Sequence, residues 1–396
     1  MRQQASVCVV QGQAGFIAGG FDAENKHLDK KTRFQSVIVI HAVDFPFFTH
    51  TATVEGVHED RFKHFIVSYV MEKLLTTESF PAARFIKEIG RGKKGARSLS
   101  RDDACELYAA MLDGRVSDLE LGGIMLAMRI KGESVLEIAG FLDAAEASFE
   151  ALGAPSGPYA PIVIPSYNGS RQMANLTPLL ALLLAREGVP VLMHGVTSDP
   201  GRVTTAQILQ AMGFTLATDR SQAAEQFAAK APVFMSIETL APRMARLLAM
   251  RRMLGVRNST HTLVKLIQPF AQAALRLTSY THPEYLAMLT EYFSSAAPAG
   301  RGDVFLMRGT EGETVANAKR AQQIEWFHAH ECITLVQRQA PTDDLPALPS
   351  APDAENTAAW IASVLNDVLP VPPAIAEQVE HCVRVSGQIS RSGLID

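Results

Sequence analysis

A chain of 396 residues is too long for one average domain and long enough to bury a large core. Hydrophobic residues make up 47% and charged residues 20%, the balance of a globular protein, and a net charge of −4 gives no bulk attraction to nucleic acid. No run of about 18 apolar residues occurs, which argues against a membrane span. The four cysteines (Cys8, Cys105, Cys332, Cys382) lie far apart with no CxxC pair, so reduced thiols and a cytoplasmic location are expected.

Residues 1–70 differ in texture from the rest. They carry five histidines, His27, His41, His50, His58 and His64, whose spacing matches no standard metal-ligand pattern. "FQSVIVIHAVDFPFFTHTATV" could form a strand pair, and the segment reads as an extension of uncertain structure, with Met71 as the natural start. From Met71 the pattern becomes helical. Ser100–Leu112, Ser117–Gly132 and "SVLEIAGFLDAAEASFEAL", ending at Gly153, each open on a capping serine and continue with apolar residues at helical spacing. They predict a small α-helical domain over residues 71–153. "GAPSGPYAP" is then a linker.

From residue 159 to 396 apolar runs alternate with helices: "PIVI", "TPLLALLLARE", "VPVLMHG", "TTAQILQAMG", "APVFMSI", and later "DVFLMRG" and "CITLVQR". That alternation predicts an α/β domain built on a mainly parallel sheet. The segment near residues 240–262 is a candidate to complete the helical domain. "APTDDLPALPSAPDAE" reads as a surface loop and "TAAWIASVLNDVL" as a further helix.

The modest net charge hides segregation. Between Arg84 and Arg101 stand Arg84, Lys87, Arg91, Lys93, Lys94, Arg97 and Arg101 against one acid, Glu88. Between Thr239 and Pro283 stand Arg243, Arg246, Arg251, Arg252, Arg257, Lys265 and Arg276 with no acid at all. With Arg171 and Arg202 these residues could form one positive surface for a polyanion, or they could be solvated faces paired with acids from elsewhere. Forty-five residues without an acid favour the anion surface. Aromatic residues near the clusters are few (Phe85, Phe270, Tyr280), so any nucleic acid would be held through phosphates with little sequence preference.

"SLSRDDACELYAAMLDGRVSDLELGGIMLAMRIKGESVLEIAGFLDA" resembles the N-terminal helical domain of the anthranilate phosphoribosyltransferase family, and the resemblance continues through the α/β region. It implies the nucleoside phosphorylase/phosphoribosyltransferase-like fold: a small helical domain, a large α/β domain and a site between them. It also implies dimers through the helical domain, and enzymes that use phosphoribosyl pyrophosphate with magnesium. The family's motifs are depleted here. The GTGGD loop falls on Ser166, Tyr167, Asn168, Gly169 and Ser170, without the aspartate and with one glycine. The KHGNR motif falls on Met193, His194, Gly195, Val196 and Thr197, without the lysine or arginine, and the GPLTNP motif falls on "VKLIQP". Glu311 and Glu313 in "RGTEGET" are the candidates for the magnesium-binding acids, and Arg251 matches the arginine that contacts anthranilate. Asn175 and Thr177 survive from the NxST motif and could still hold one phosphate at a helix start.

Scaffold kept and phosphoribosyl machinery lost resembles the YbiB-type branch of the family, described as dimeric proteins that bind DNA and RNA without clear sequence specificity. The match includes "FIKEIGRGK", "THPEY" and "GTEGE". The expectation is a non-enzymatic binder of DNA and RNA, acting as a homodimer through the helical domain. Its phosphate contacts would be Arg84, Lys87, Arg91, Lys93, Lys94, Arg97, Arg202, Arg251, Arg252, Arg257 and Lys265. A residual ligand site would comprise Asn168, Gly169, Arg171, Asn175, Thr177, His194 and Gly195. Catalytic residues, metal and cofactor are expected to be absent. The alternatives are a transferase acting on an altered substrate, for which magnesium would be required, and a nucleotide-sensing protein.

Overall fold

The computed structural model describes residues 80–392 except Lys93 and residues 342–346. The expected strand pair and the five N-terminal histidines lie outside the described residues. Four helices come first: α1 (Ala83–Ile89), α2 (Arg101–Asp113), α3 (Asp118–Lys131) and α4 (Val135–Ala147). Ser100, Ser117 and Ser134 cap the last three, each hydroxyl accepting from the backbone N–H three residues on. At Ser117 and Ser134 a glutamate reaches back to complete a capping box. The second of these, Glu137, is buried and also accepts from Leu99 N at 2.9 Å and Lys131 Nζ at 2.6 Å, tying α3 and α4 to the chain before α2. Helix α4 stops at Ala147, short of the expected Gly153, because the Ser148 hydroxyl donates to the Ala145 carbonyl and closes the last turn.

The α/β region runs β1 (Ile162–Ser166), α5 (Thr177–Arg186), β2 (Val191–Gly195), α6 (Thr205–Ala211), α7 (Arg220–Ala228) and β3 (Val233–Ser236). Next come four short helices, α8 (Ile237–Leu240), α9 (Pro242–Ala249), α10 (Arg251–Leu254) and α11 (Thr260–Leu263). Then follow β4 (Leu275–Tyr280), α12 (Pro283–Ser295), β5 (Val304–Arg308), β6 (Ile324–His328), β7 (Glu331–Val336), α13 (Ala354–Leu365) and α14 (Pro373–Ser392). The sheet order is β3-β2-β1-β4-β5-β6-β7. Strands β1 to β5 pair in parallel, while β6 and β7 are antiparallel additions at one edge.

Side chains of the parallel strands alternate between two cores, as the strand period requires. Val163, Leu192, Val233, Met235, Val304 and Leu306 face a core shared with the helical bundle. Ile162, Ile164, Val191, Met193, Leu275, Phe305 and Met307 face a second core covered by α5, α6, α13 and α14. Residues 242–263 pack on the bundle: Arg246 donates to the Met111 and Leu112 carbonyls, and Asn258 reaches Met125 and the Leu247 carbonyl. No helix among the described residues is long and apolar enough to cross a membrane.

Candidate anion site at the carboxyl edge of the sheet

The strand order reverses direction between β1 and β4, the place where open α/β sheets leave a crevice for ligands. β1 pairs with β4 only over Ile162 and Val163, whereas it pairs with β2 along its whole length, Ser166 opposite Gly195. A Cβ on Gly195 would lie 1.7 Å from the Ser166 carbonyl oxygen, so this close approach requires glycine. The loop after β1, residues 167–176, hangs over the crevice.

That loop presents a row of backbone donors. Gly169 adopts φ +62, and the turn points the N–H groups of Asn168 and Gly169 at one spot. Glu313 fills it: its Oε1 accepts from Asn168 N at 2.8 Å and Gly169 N at 2.7 Å. Two residues on, the pattern repeats. Glu311 accepts from Arg171 N at 2.5 Å and Gln172 N at 3.0 Å. Glu311 sits at φ +51, a left-handed conformation that a non-glycine residue holds at a cost. Between the two acids, the Gly312 carbonyl accepts from Ser279 Oγ on β4 at 2.9 Å and from Lys265 Nζ at 3.1 Å. The loop after β5 therefore crosses the end of β4 and docks on the loop after β1, over the switch point.

Glu311 and Glu313 were the candidates for a magnesium pair. Both carboxylates are turned onto N–H donors of the loop after β1, and Glu313 Oε2 is buried without a hydrogen-bond partner among the described residues. No group of three or more His, Cys, Asp and Glu side chains that could hold a metal occurs among the described residues.

The remaining members of the expected ligand site are largely occupied by one another. Asn175 Oδ1 accepts from Thr177 N at 3.1 Å, its Nδ2 donates to Thr205 Oγ1 at 3.1 Å, and Ser166 Oγ donates to the same hydroxyl at 2.8 Å. Asn175 and Thr177 are both buried; Asn175 ties the loop down, while the Thr177 hydroxyl has no hydrogen-bond partner among the described residues. His194 is buried beneath it, its Nδ1 2.7 Å from the Tyr167 hydroxyl, and Nε2 finds no partner among the described residues. Burial depresses its pKa to about 3, which keeps the ring neutral.

Cations gather beside this plug. Arg257 Nη2 donates to Asn168 Oδ1 at 3.0 Å, and Arg202 Nη1 donates to the Gly169 carbonyl at 3.2 Å. Arg251 lies 3.8 Å from Asp199. Burial, together with the charges of Arg251, Arg202 and Arg129, pulls the Arg257 pKa down, and Asp199 is the acid that opposes the shift. Burial and the charges of Arg257 and Arg251 likewise lower His261 to about 4. Burial lowers Lys265 to about 8, against the nearby Glu313 charge. Arg129, Arg202 and Arg257 form no ion pair among the described residues. Asp199 is the acid that acts directly on Arg257, while the carboxylates of Glu313 and Glu311 lie on the neighbouring loop and are taken up by its amides.

The other expected cations are distributed differently. Arg84 pairs with Glu106, Arg91 with Glu88 at 2.6 Å, and Arg97 approaches Glu88 at 3.7 Å. Arg243 pairs with Asp113 at 2.6 Å, and buried Arg276 donates to the Leu266 carbonyl. Part of each basic stretch is thus locally neutralised or structural. Lys87, Lys94, Arg171 and Arg252 stay exposed, and Lys93 lies outside the described residues. Arg129, exposed at the end of α3 and not expected here, donates to the Tyr285 hydroxyl at 3.3 Å, and its charge acts on Arg257. Only its place in the last turn of a capped helix, next to "KGE", could have pointed to it.

Comparison with known proteins fits this architecture. Residues 83–148 match the glycosyl transferase family helical bundle domain and residues 168–337 match the glycosyl transferase family a/b domain. A protein of Escherichia coli (strain K12) described as "Uncharacterized protein YbiB" is 46% identical over 306 residues, covering 77% of this chain and 94% of that protein. The chain belongs to this glycosyl transferase family. An anthranilate phosphoribosyltransferase of Pyrobaculum aerophilum is 26% identical over 77% of this chain and 89% of its own length. The crystal structure of anthranilate phosphoribosyltransferase from Thermus thermophilus superposes with a TM-score of 0.60 at 23% identity, over 78% of this chain and 89% of that one. The scaffold is that of an anthranilate phosphoribosyltransferase, a helical bundle domain joined to an α/β domain with a mostly parallel sheet.

Proposed function

We propose that this family member binds nucleic acid through phosphate groups, with little sequence preference and without catalysis. One observation carries the reading. Arg202 and Arg257 bond the loop after β1 and Arg251 lies by Asp199 at the crevice, while the amide donors of that loop are occupied by the chain's own carboxylates. Such a site offers charge to a phosphodiester but no free cradle for a diphosphate leaving group. A homodimer through the helical bundle would place two such clusters in one assembly. Support comes from α3, which exposes Leu119 (88%), Leu126 (42%) and Ile130 (70%) at helical spacing on one face.

Fluorescent single- and double-stranded oligonucleotides titrated into the full chain over a salt series test the proposal. Affinity is expected to fall steeply with salt, with a logarithmic slope of about −0.9 per neutralised phosphate on duplex and about −0.7 on single strands. Affinity indifferent to salt, or none at low salt, sinks it. The second reading, a transferase with an altered substrate, draws on family membership and on relatives named anthranilate phosphoribosyltransferase. Turnover of phosphoribosyl pyrophosphate above background would move it ahead.

A further inference from the structure

We infer that Glu311 and Glu313 are specificity determinants: built-in anions that fill the amide-lined loop after β1 and exclude free diphosphates. The donors at issue are the N–H groups of Asn168, Gly169, Arg171 and Gln172, which form two adjacent pairs, each closed by one carboxylate. Converging amides of this kind bind oxyanions because their partial positive charges add and cost no side-chain ordering. A carboxylate tethered to the same chain competes at high effective concentration, so a free anion must displace it before it can bind.

Three features show that the acids are held there by structure. Glu311 adopts the left-handed backbone region, which turns its side chain back toward the loop. Gly312 passes so close to Asn168 that a Cβ would sit 1.8 Å from its Nδ2. The Gly312 carbonyl is anchored by Lys265 and Ser279. The arginine cluster stays outside this closure. The loop after β1 therefore offers a free diphosphate no vacant amide pair, and any phosphate must be met by the arginines alone. The inference rests on the proposed nucleic-acid reading only in taking the arginine cluster as the phosphate site that remains.

The test titrates inorganic pyrophosphate and orthophosphate, without magnesium, into the full chain by calorimetry. Wild-type binding of pyrophosphate is expected to be carried by the arginines, so that Arg257→Ala removes it. The double variant Glu311→Gly with Glu313→Ala, in which glycine suits the positive φ at position 311, is expected to gain about tenfold or more in pyrophosphate affinity as charge-assisted donors are freed. Wild-type pyrophosphate binding that survives Arg257→Ala, or a double variant with native circular dichroism and cooperative melting that gains nothing, overturns the inference. If the variant does not fold, amide hydrogen exchange on wild type decides. The amides of residues 168, 169, 171 and 172 are expected to be protected, and unchanged by saturating pyrophosphate. Fast exchange there, or protection that responds to pyrophosphate, overturns it. Oligonucleotide titrations of the same samples report on nucleic-acid binding separately, because a wild type that ignores oligonucleotides leaves the pyrophosphate comparison intact.

Discussion

Arg257 and Arg243 show why equal charges do unequal work. Both come from the same acid-free stretch, yet Arg243 is neutralised by Asp113, while Arg257 sits half-buried among other arginines. Arg257→Ala is expected to weaken oligonucleotide binding uniformly across sequences and to reduce the salt slope by about 1, and Arg243→Ala to change neither. Parallel titrations of the two variants check this. His194 and His261 behave as buried neutral rings, with folded pKa values of about 3 and about 4 against an ordinary 6.5. The unfolded chain therefore binds more protons than the folded one below 6.5. Stability should be full above that pH and fall as pH drops toward the folded values, by up to about 1.4 kcal/mol per histidine for each pH unit. Melting temperatures between about pH 7.5 and about pH 5.5 should show this loss, and His194→Gln should shrink it.

Among the elements, α3 and α4 owe their start points to side chains that satisfy otherwise orphaned amides. Ser117→Ala, at an exposed cap, should cost about 1 kcal/mol in chemical denaturation. Lys131→Ala should cost more, about 3 kcal/mol, because it removes the cationic partner of a buried Glu137 carboxylate. The strands at the crevice are equally particular. Gly195→Ala drives a methyl into the Ser166 carbonyl and should destabilise by about 2–3 kcal/mol or more, with disturbance of the loop above. The capped helices were legible because a serine followed three residues later by an acid is a local signal. β4 was not, since "LRLTSY" carries Arg276, Thr278 and Ser279 in an otherwise buried strand. Arg276 Nη1, Thr278 and Ser279 donate to carbonyls outside the strand, those of Leu266, Lys265 and Gly312, while Arg276 Nε has no hydrogen-bond partner among the described residues. α14 was missed for a related reason: its polar composition conceals a buried stripe, Ile375, Cys382, Val385 and Ile389, against the sheet.

At the scale of the whole molecule, the exposed leucine–isoleucine stripe on α3 is the feature most at odds with a solitary chain. Leu119→Glu combined with Ile130→Glu should convert a dimer to a monomer in sedimentation velocity and lower oligonucleotide affinity, since one molecule then offers half the cations. A wild type that sediments as a monomer removes that expectation.

The sequence alone determined the family scaffold, the helical bundle followed by a parallel α/β region, and the depletion of the diphosphate-binding motifs. Periodicity, caps and motif residues are local properties, and they survive in any reading of the chain. Tertiary structure decided what each charge faces. Glu311 and Glu313 stand where the family resemblance puts magnesium-binding acids, and the fold shows them accepting from the amides of residues 168, 169, 171 and 172. Arg84 and Arg97 looked like free cations and found Glu106 and Glu88, while Arg257 came to bond Asn168, 89 residues away in sequence. Electrostatic character belongs to distances of a few ångströms in space, and only the folded chain brings those partners together.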